Sequence, residues 1–424
     1  LATASGFKQR SSKISPKKFL DILLYGSNEE NKSLNQCAIE AKNKHQLSIS
    51  KQGLDQRFNA QSVLFIKTML EEQFKTQITR AVSSEVLGKF NRVLIKDSTR
   101  FDIAEQHKEK YPGSGGSASQ AGMSIQYEFD LKDGKITDLN LTSSIDQDST
   151  DASKTKDKVE KNDLIIRDLG YFVLDVFEYV QKSQAFFLSR LEPRVLIYQE
   201  KNGSTTQLSY NGLYERMVEA KQTTMEIDVL IGEKKKLPVR LIVNLLPEEV
   251  YNERIRKITK QYQKKGKKIS ERYKEYARFN FYITNIPSET VSLTELLLLY
   301  RLRWQIELVF KVWKSLFKIE KIRKMKLERF LSLLYAKLLW ILINWEIVMN
   351  LKSIFHQEFN KILSMYKSFQ TIKENFEKFR NDLINHNARG YIIVNWLIEI
   401  LSEKHWLEKK KNRIGYEDIL FNNL

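Results

Sequence analysis

The chain has 424 residues, 42% of them apolar and 11% aromatic, with 16 Gly and 6 Pro, which is enough for two or three domains and excludes extended disorder as its main character. Its 70 Lys and Arg against 52 Asp and Glu leave a formal charge of +18, which favours a polyanionic partner without choosing between DNA, RNA and anionic lipid. The lone Cys37 excludes an internal disulfide and a cysteine-built zinc cluster, and it fits a reducing cytosol. Leu1-Ala2-Thr3-Ala4-Ser5 lacks the basic and apolar runs of a signal peptide, and the missing initial Met fits a fragment of a longer chain.

Up to about Thr79 the periodicity is helical. Residues 34–42 set Leu34, Cys37, Ala38 and Ala41 on one side of a helix, and Ser50 is placed to cap a second helix over 51–58. This pair is either a structural hairpin or a helix-turn-helix that offers Lys51, Gln52, Gln56 and Arg57 to a major groove. From Phe90 the period falls to two. A buried strand at 92–96 ends at Asp97-Ser98-Thr99, and strands at 123–131 and 135–141 flank the hairpin signal Asp133-Gly134, behind a Gly- and Ser-rich loop at 111–122. A polar helix at 150–161, a strand at 164–167 ending on Asp168, a helix at 170–182 and a strand at 186–189 follow. Three antiparallel strands, helix, strand, helix, strand is the order of an RNase H-like α/β core, with Asp97 and Asp168 at the ends of its first and fourth strands.

Residues 192–286 read as a β-rich insertion with strands at 194–199, 225–231 and 237–245, then one charged helix at 248–277. Its Lys264-Lys265-Gly266-Lys267-Lys268 run either follows a phosphate backbone or is simply solvated. From Ser292, a cap for a helix beginning at Leu293, the remainder is helical. The apolar stretch 331–349 approaches membrane-spanning length, but Lys337, Asn344 and Glu346 interrupt it, so it predicts a buried core helix and no membrane partner. His45, His107, His356, His386 and His405 show no metal-ligand spacing. The basic and aromatic run at 404–413 is either a nucleic-acid contact or a solvated helix end.

The densest chemistry lies at 300–314, YRLRWQIELVFKVWK. Wound as one helix, Tyr300, Arg303, Glu307 and Lys314 fall within roughly 60° of one another, with Lys311 near the stripe. On a solvated helix Arg303 and Glu307 would be an ordinary i to i+4 ion pair. Trp304, Ile306, Leu308, Val309, Phe310 and Trp313 instead predict burial, where charged groups need partners that a metal and phosphates would supply.

Tyr, two residues, Arg, three residues, Glu, six residues, Lys resembles the YREK signature of the insertion-sequence-four family of DDE transposases. The likeness extends over most of the chain and is strongest at IKDST around Asp97, RDLGYF around Asp168 and the segment bearing Glu307. It implies that Asp97, Asp168 and Glu307 are the catalytic acidic triad and the ligands of two Mg²⁺ ions, with Mn²⁺ a substitute. Asp102, Asp163, Asp175, Glu295 and Glu320 are the neighbouring rivals. Tyr300, Arg303, Lys311 and Lys314 then contact DNA near the cleavage site, and Lys51 and Arg57 are further DNA-binding candidates.

The implied activity is cleavage at transposon ends and strand transfer into target DNA. The implied partners are double-stranded DNA with inverted terminal repeats, target DNA and a second copy of the chain, in the bacterial cytoplasm at the nucleoid. The alternative is a transposase-derived DNA-binding protein that no longer cuts. The resemblance divides the chain into a helical DNA-binding region at 1–85, RNase H-like core at 86–191 and 287–350, the insertion at 192–286, and a helical region at 351–424. One departure is that no Trp lies between 192 and 299, where family members with a DNA hairpin intermediate hold a flipped base; Tyr198, Tyr210 and Tyr214 are the aromatic residues left for that task.

Overall fold

Capping side chains punctuate the N-terminal region. The computed structural model describes residues 1–10, 12–28, 32–77, 84–116, 118–201, 203–321, 323–384 and 390–407. Ser15, Ser33, Ser50 and Asn59 accept first-turn N–H groups of α1 (Pro16–Ser27), α2 (Leu34–His45), α3 (Lys51–Asp55) and α4 (Ala60–Lys75), each contact stabilising by about 1 kcal/mol. A short α5 (Glu85–Gly88) precedes β1 (Val93–Asp102), β2 (Gly122–Asp130) and β3 (Ile136–Ser143). Then come α6 (Asp148–Thr155), β4 (Leu164–Arg167), α7 (Leu174–Lys182) and β5 (Phe186–Arg190). The next stretch holds β6 (Ile197–Lys201), β7 (Ser204–Gln207), α8 (Tyr210–Glu219), β8 (Thr224–Ile231) and β9 (Leu237–Leu245). It closes with α9 (Glu248–Lys264), α10 (Glu271–Tyr276) and β10 (Phe279–Thr284). Helices follow among the described residues: α11 (Leu293–Arg301), α12 (Trp304–Ser315), α13 (Leu327–Phe359), α14 (Met365–Glu374), α15 (Phe376–Ile384) and α16 (Gly390–Lys404).

These elements form two compact units, the first being Leu1–Ser83, Ser98–Asp146 and Trp304–Leu424, the second Ser84–Asp97 and Gln147–Arg303. In the second unit the strands are ordered β1-β4-β5-β10-β9-β8-β6-β7. The chain builds β1, β4 and β5 as parallel neighbours, then adds β10 antiparallel to β5 and β9 antiparallel to β10. The region after β5 therefore extends the same sheet instead of leaving β5 as an open edge. Leu94, Ile165, Phe177, Phe187, Phe281 and Ile283 share one apolar cluster, which Tyr210, Leu213 and Met217 of α8 help to cover.

Several boundaries differ from expectation. β1 does not stop near Asp97 but runs to Asp102, because its second half lies beside β2 in the first unit, where the order is β3-β2-β1. The charged helix expected at 248–277 is two helices, since Gly266 takes φ +64° and turns the chain between them. The strand expected at 194–199 lies at Ile197–Lys201, and the pattern did not announce β7, α8 or β10. Beyond the cap at Ser50, α3 stops at Asp55 instead of reaching residue 58; Asp55 pairs with Lys326 at 3.1 Å and Arg329 at 3.3 Å.

In the first unit, β2 and β3 form the antiparallel hairpin that Asp133-Gly134 signalled, with Gly134 at φ +78°. Tyr127 and Phe129 of β2 meet Trp313 and Trp345 edge-on, and the Trp345 indole N–H donates to the Gly134 carbonyl at 2.7 Å. The apolar stretch within α13 is mostly internal: 78% of its most apolar window is buried. Its polar interruptions have protein partners. Lys337 donates to the Lys318 carbonyl, Asn344 to the Trp340 carbonyl, and Glu346 accepts from Gln73 at 2.8 Å.

A Cβ added at Gly134 would lie 2.6 Å from the Met349 Cε, on backbone that already disfavours a side chain. Gly134→Ala is expected to destabilise the protein by roughly 2 kcal/mol, measured as a lower urea midpoint; an unchanged midpoint would contradict this packing.

Candidate active site

The site starts from strand register. Val93, Leu94 and Ile95 of β1 pair in parallel with Leu164, Ile165 and Ile166 of β4. Two residues beyond Ile95 and Ile166 come Asp97 and Asp168, so the carboxylates stand level on strands about 4.8 Å apart. β5 continues the row, because Arg167 pairs with Ser189 and the next residue on β5 is Arg190. Asp168 leads into a 3-10 turn at Leu169–Tyr171, and both aspartates are half-buried. Asp97 is thus not a strand end; what ends near it is the ladder between β1 and β4.

Two basic and aromatic candidates join this pair within the second unit. The Arg303 guanidinium donates to the Asp97 carboxylate at 3.4 Å. Tyr300 packs edge-on against Tyr282 with ring centroids 4.8 Å apart, and its hydroxyl is buried with no hydrogen-bond partner among the described residues. Burial pushes the Tyr300 phenol well above its ordinary pKa, the nearby Asp168 carboxylate adds to the shift, and Arg303 and Arg190 oppose it. The phenol is therefore a hydrogen-bond donor throughout the neutral range.

The structure also supplies residues that pattern reading passed over. Lys96, next to Asp97, is fully buried, with its ammonium 2.5 Å from the Asp151 carboxylate and 3.2 Å from the Thr155 hydroxyl on α6. Arg167 is buried beside Asp168 and donates to the Leu94 and Ile166 carbonyls. Tyr171 is buried too, its phenol pushed up by burial first and then by Asp148, Asp97 and Asp151. Asp148 rests on Gly170, where a Cβ would come within 3.0 Å of its carboxylate. A lysine closing the apolar run Val93-Leu94-Ile95 is the signal that could have exposed the Lys96–Asp151 pair, since a buried ammonium requires a counter-charge.

The segment 300–314 is not one helix. Leu302 and Arg303 bond back three residues, to the Leu299 and Tyr300 carbonyls, and this tight turn ends α11 before α12 starts at Trp304. The single stripe is therefore divided. Tyr300 lies in the last turn of α11 and Arg303 occupies the break. Glu307, Lys311 and Lys314 share a face of α12 in the first unit, at i, i+4 and i+7.

Glu307 is half-buried; Lys311 lies 5.5 Å from the Tyr366 ring centre, and Lys314 lies 3.9 Å from Glu320. Ile306, Val309, Phe310 and Trp313 are buried as expected, whereas Trp304 is 57% exposed. Lys51 is exposed in α3, and Arg57 is half-buried beyond the end of that helix. Tyr198, Tyr210 and Tyr214 already face Lys236, Arg272 and Arg278 respectively. His386 and residues 408–413 of the basic C-terminal run lie outside the described residues.

Two level carboxylates suit a hard divalent cation. Among the described residues, however, no three His, Cys, Asp or Glu side chains are grouped to hold a metal ion. The second unit thus gathers Asp97, Asp168, Tyr300 and Arg303.

Known proteins share much of this sequence. A family model described as "Transposase DDE domain" matches residues 88–343. The chain is 32% identical to the transposase for insertion sequence element IS1151 of Clostridium perfringens, across 100% of this chain and 92% of that protein. It is 34% identical to the transposase for insertion sequence element IS231F of Bacillus thuringiensis subsp. israelensis, across 77% of this chain and 71% of that one. A cryo-EM structure of a piggyBac transposase synaptic complex with hairpin DNA aligns with TM-score 0.40 and 9% identity over 98% of this chain and 82% of that one.

The buried pair beside Asp97 gives a direct test. Lys96→Met leaves the Asp151 carboxylate buried without its ammonium and is expected to cost about 3–5 kcal/mol in urea unfolding. The double variant Lys96→Met with Asp151→Leu should recover most of that loss. A single variant as stable as wild type would show that the pair does not hold this part of the fold together.

Proposed function

The chain belongs to the DDE transposases, and we propose that Asp97, Asp168 and Glu307 are its catalytic triad for cleavage at transposon ends and strand transfer into target DNA. The observation that carries this is the level placement of Asp97 and Asp168 on neighbouring parallel strands, with Arg303 at Asp97. The parallel series β1-β4-β5, with β3-β2-β1 on the other side of the first strand, supports an RNase H-like core.

DDE transposases generally use divalent metal ions. Asp97 and Asp168 would hold Mg²⁺ or Mn²⁺ here, with Glu307 as the third ligand by family likeness. Bound there, two such ions supply an activated water or DNA 3′ hydroxyl and charge stabilisation at the leaving oxygen. The chain's own side chains position the strand. Arg303 can grip a phosphate through two parallel N–H bonds, and Tyr300 can donate its buried hydroxyl to a phosphate oxygen. Lys311 and Lys314 act as point charges along the same strand. Lys51 and Arg57 contact duplex DNA from the α2–α3 pair. Pairing two inverted terminal repeats calls for a DNA-bound homodimer, working in the cytoplasm at the nucleoid.

The second reading is a descendant that binds DNA without cutting it. One experiment separates the two. With Mg²⁺ and DNA carrying the native ends, wild type is expected to cleave. Asp97→Ala, Asp168→Ala and Glu307→Ala should each lose at least about a thousandfold in rate, near 4 kcal/mol of transition-state stabilisation, while keeping duplex affinity. Cleavage retained by any variant removes that residue from the triad, and a wild type that binds the ends but never cuts them supports the second reading. Arg303→Ala should weaken end binding about tenfold, with Arg303→Lys a poor rescue because ammonium cannot grip in two places.

A further inference from the structure

Between β9 and β10 the chain leaves the sheet and returns as a helical hairpin, α9 out and α10 back. Its root is firmly built. Leu245 pairs with Phe279, the Leu246 N–H donates to the Arg278 carbonyl at 2.9 Å, and Arg278 bridges to Glu248 at 3.2 Å. The half-buried Arg254 then ties α9 to this root, donating to the Ala277 and Phe279 carbonyls and, at 2.7 Å, to the Asn280 side chain. Despite that anchoring, none of the 17 residues of α9 is buried.

The outward face is cationic. Arg256, Lys257, Lys260 and Lys264 are exposed and fall within about 100° of one another around the helix. Lys265, Lys267 and Lys268 continue the patch through the turn that Gly266 makes at φ +64°. Only Lys257 among these seven has an ion-pair partner among the described residues, Glu253 at 2.6 Å. Seven like charges so close together repel one another. Glu253 offsets Lys257 and, more weakly, Arg256, and among the described residues no ion pair neutralises the five lysines from Lys260 to Lys268.

The hairpin also roots at an informative place. β10 runs antiparallel to β5 with Tyr282 opposite Arg190, so the start of β10 lies at the C-terminal edge of β5. That is the edge on which Asp97 and Asp168 stand, because β1, β4 and β5 are parallel. Three strand spacings, about 14 Å, separate β1 from β10, less than half of one duplex turn of about 34 Å. A duplex engaged at the acidic pair would therefore still be beside the sheet edge from which the hairpin springs.

We propose that the exposed face of α9 and the lysine turn at its end form a second DNA contact, gripping the phosphates of duplex DNA without regard to sequence. This rests on the transposase reading, and it adds a surface that the acidic site does not include. The same phosphate chemistry serves element-end and target duplexes, so both are probed.

The test uses the full chain with Lys260, Lys264, Lys265, Lys267 and Lys268 all changed to Gln. These exposed positions should leave the circular dichroism spectrum and thermal midpoint as in wild type. Fluorescence anisotropy then follows binding to a duplex with the native ends and to an unrelated duplex between roughly 50 and 200 mM salt. The plot of log affinity against log salt is expected to be shallower by about 4.5 for both duplexes if all five lysines meet phosphates, at roughly 0.9 for each phosphate that the variant no longer neutralises. An unchanged slope in a variant that still binds overturns the proposal, and so does a loss confined to the end-bearing duplex, which would mark a sequence reader. A wild type that binds neither duplex overturns the transposase reading itself, a result visible without the variant.

Discussion

The parallel pairing of β1 with β4 is the constraint on which the rest depends. With Ile95 opposite Ile166, Asp97 and Asp168 are carried to the same level on adjacent strands. A slip of one residue would send one carboxylate to the opposite face of the sheet. The register is secured from the face of the sheet opposite the carboxylates. Leu94 and Ile165 belong to the apolar cluster there, and on the same face Lys96 is clasped by Asp151 and Thr155 of α6. Arg167 donates across to the Leu94 carbonyl, tying the two strands together just before the acidic residues.

Extending the sheet past β5 makes this row more than two carboxylates. Arg190 continues it on β5, Tyr282 stands opposite Arg190 on β10, and Tyr300 packs on Tyr282 near Asp168. The tight turn at Leu302-Arg303 then presents the Arg303 guanidinium to Asp97. Opposite charges thereby accumulate at one sheet edge from parts of the chain some two hundred residues apart, with a phenol that burial keeps protonated. In the function proposed above, this edge is where a phosphate and a divalent cation would meet for metal-assisted cleavage of a phosphodiester.

How much of this could be read in advance depended on whether a local rule decided the outcome. Asp168 after β4 and the Asp133-Gly134 hairpin follow from a short apolar strand and turn residues, whereas the strand read as ending at Asp97 runs on to Asp102, and the Ser50 and Ser292 caps follow from hydroxyls ahead of helical runs. The tight turn after α11 was invisible because 300–314 holds neither Gly nor Pro and keeps its helical period across the break. Trp304 was expected inside by its chemistry, yet it opens α12 on an exposed position. β10 depends on pairing with β5 nearly a hundred residues earlier, which no local pattern encodes. Lys96 was legible in principle, but its partner Asp151 sits in a polar helix that gave no hint of burial.

The central claim is that Asp97 and Asp168 hold a divalent ion in common, with Glu307 joining them. Iron-generated hydroxyl radicals report this most directly. Fe²⁺ bound in place of Mg²⁺, with ascorbate and peroxide, cuts the polypeptide backbone next to the ion. A shared site predicts Mg²⁺-suppressible cuts around residues 97, 168 and 307 together, all lost in Asp168→Asn. Cuts at 97 and 168 without 307 would remove the glutamate, and cuts at neither aspartate would contradict the shared site altogether.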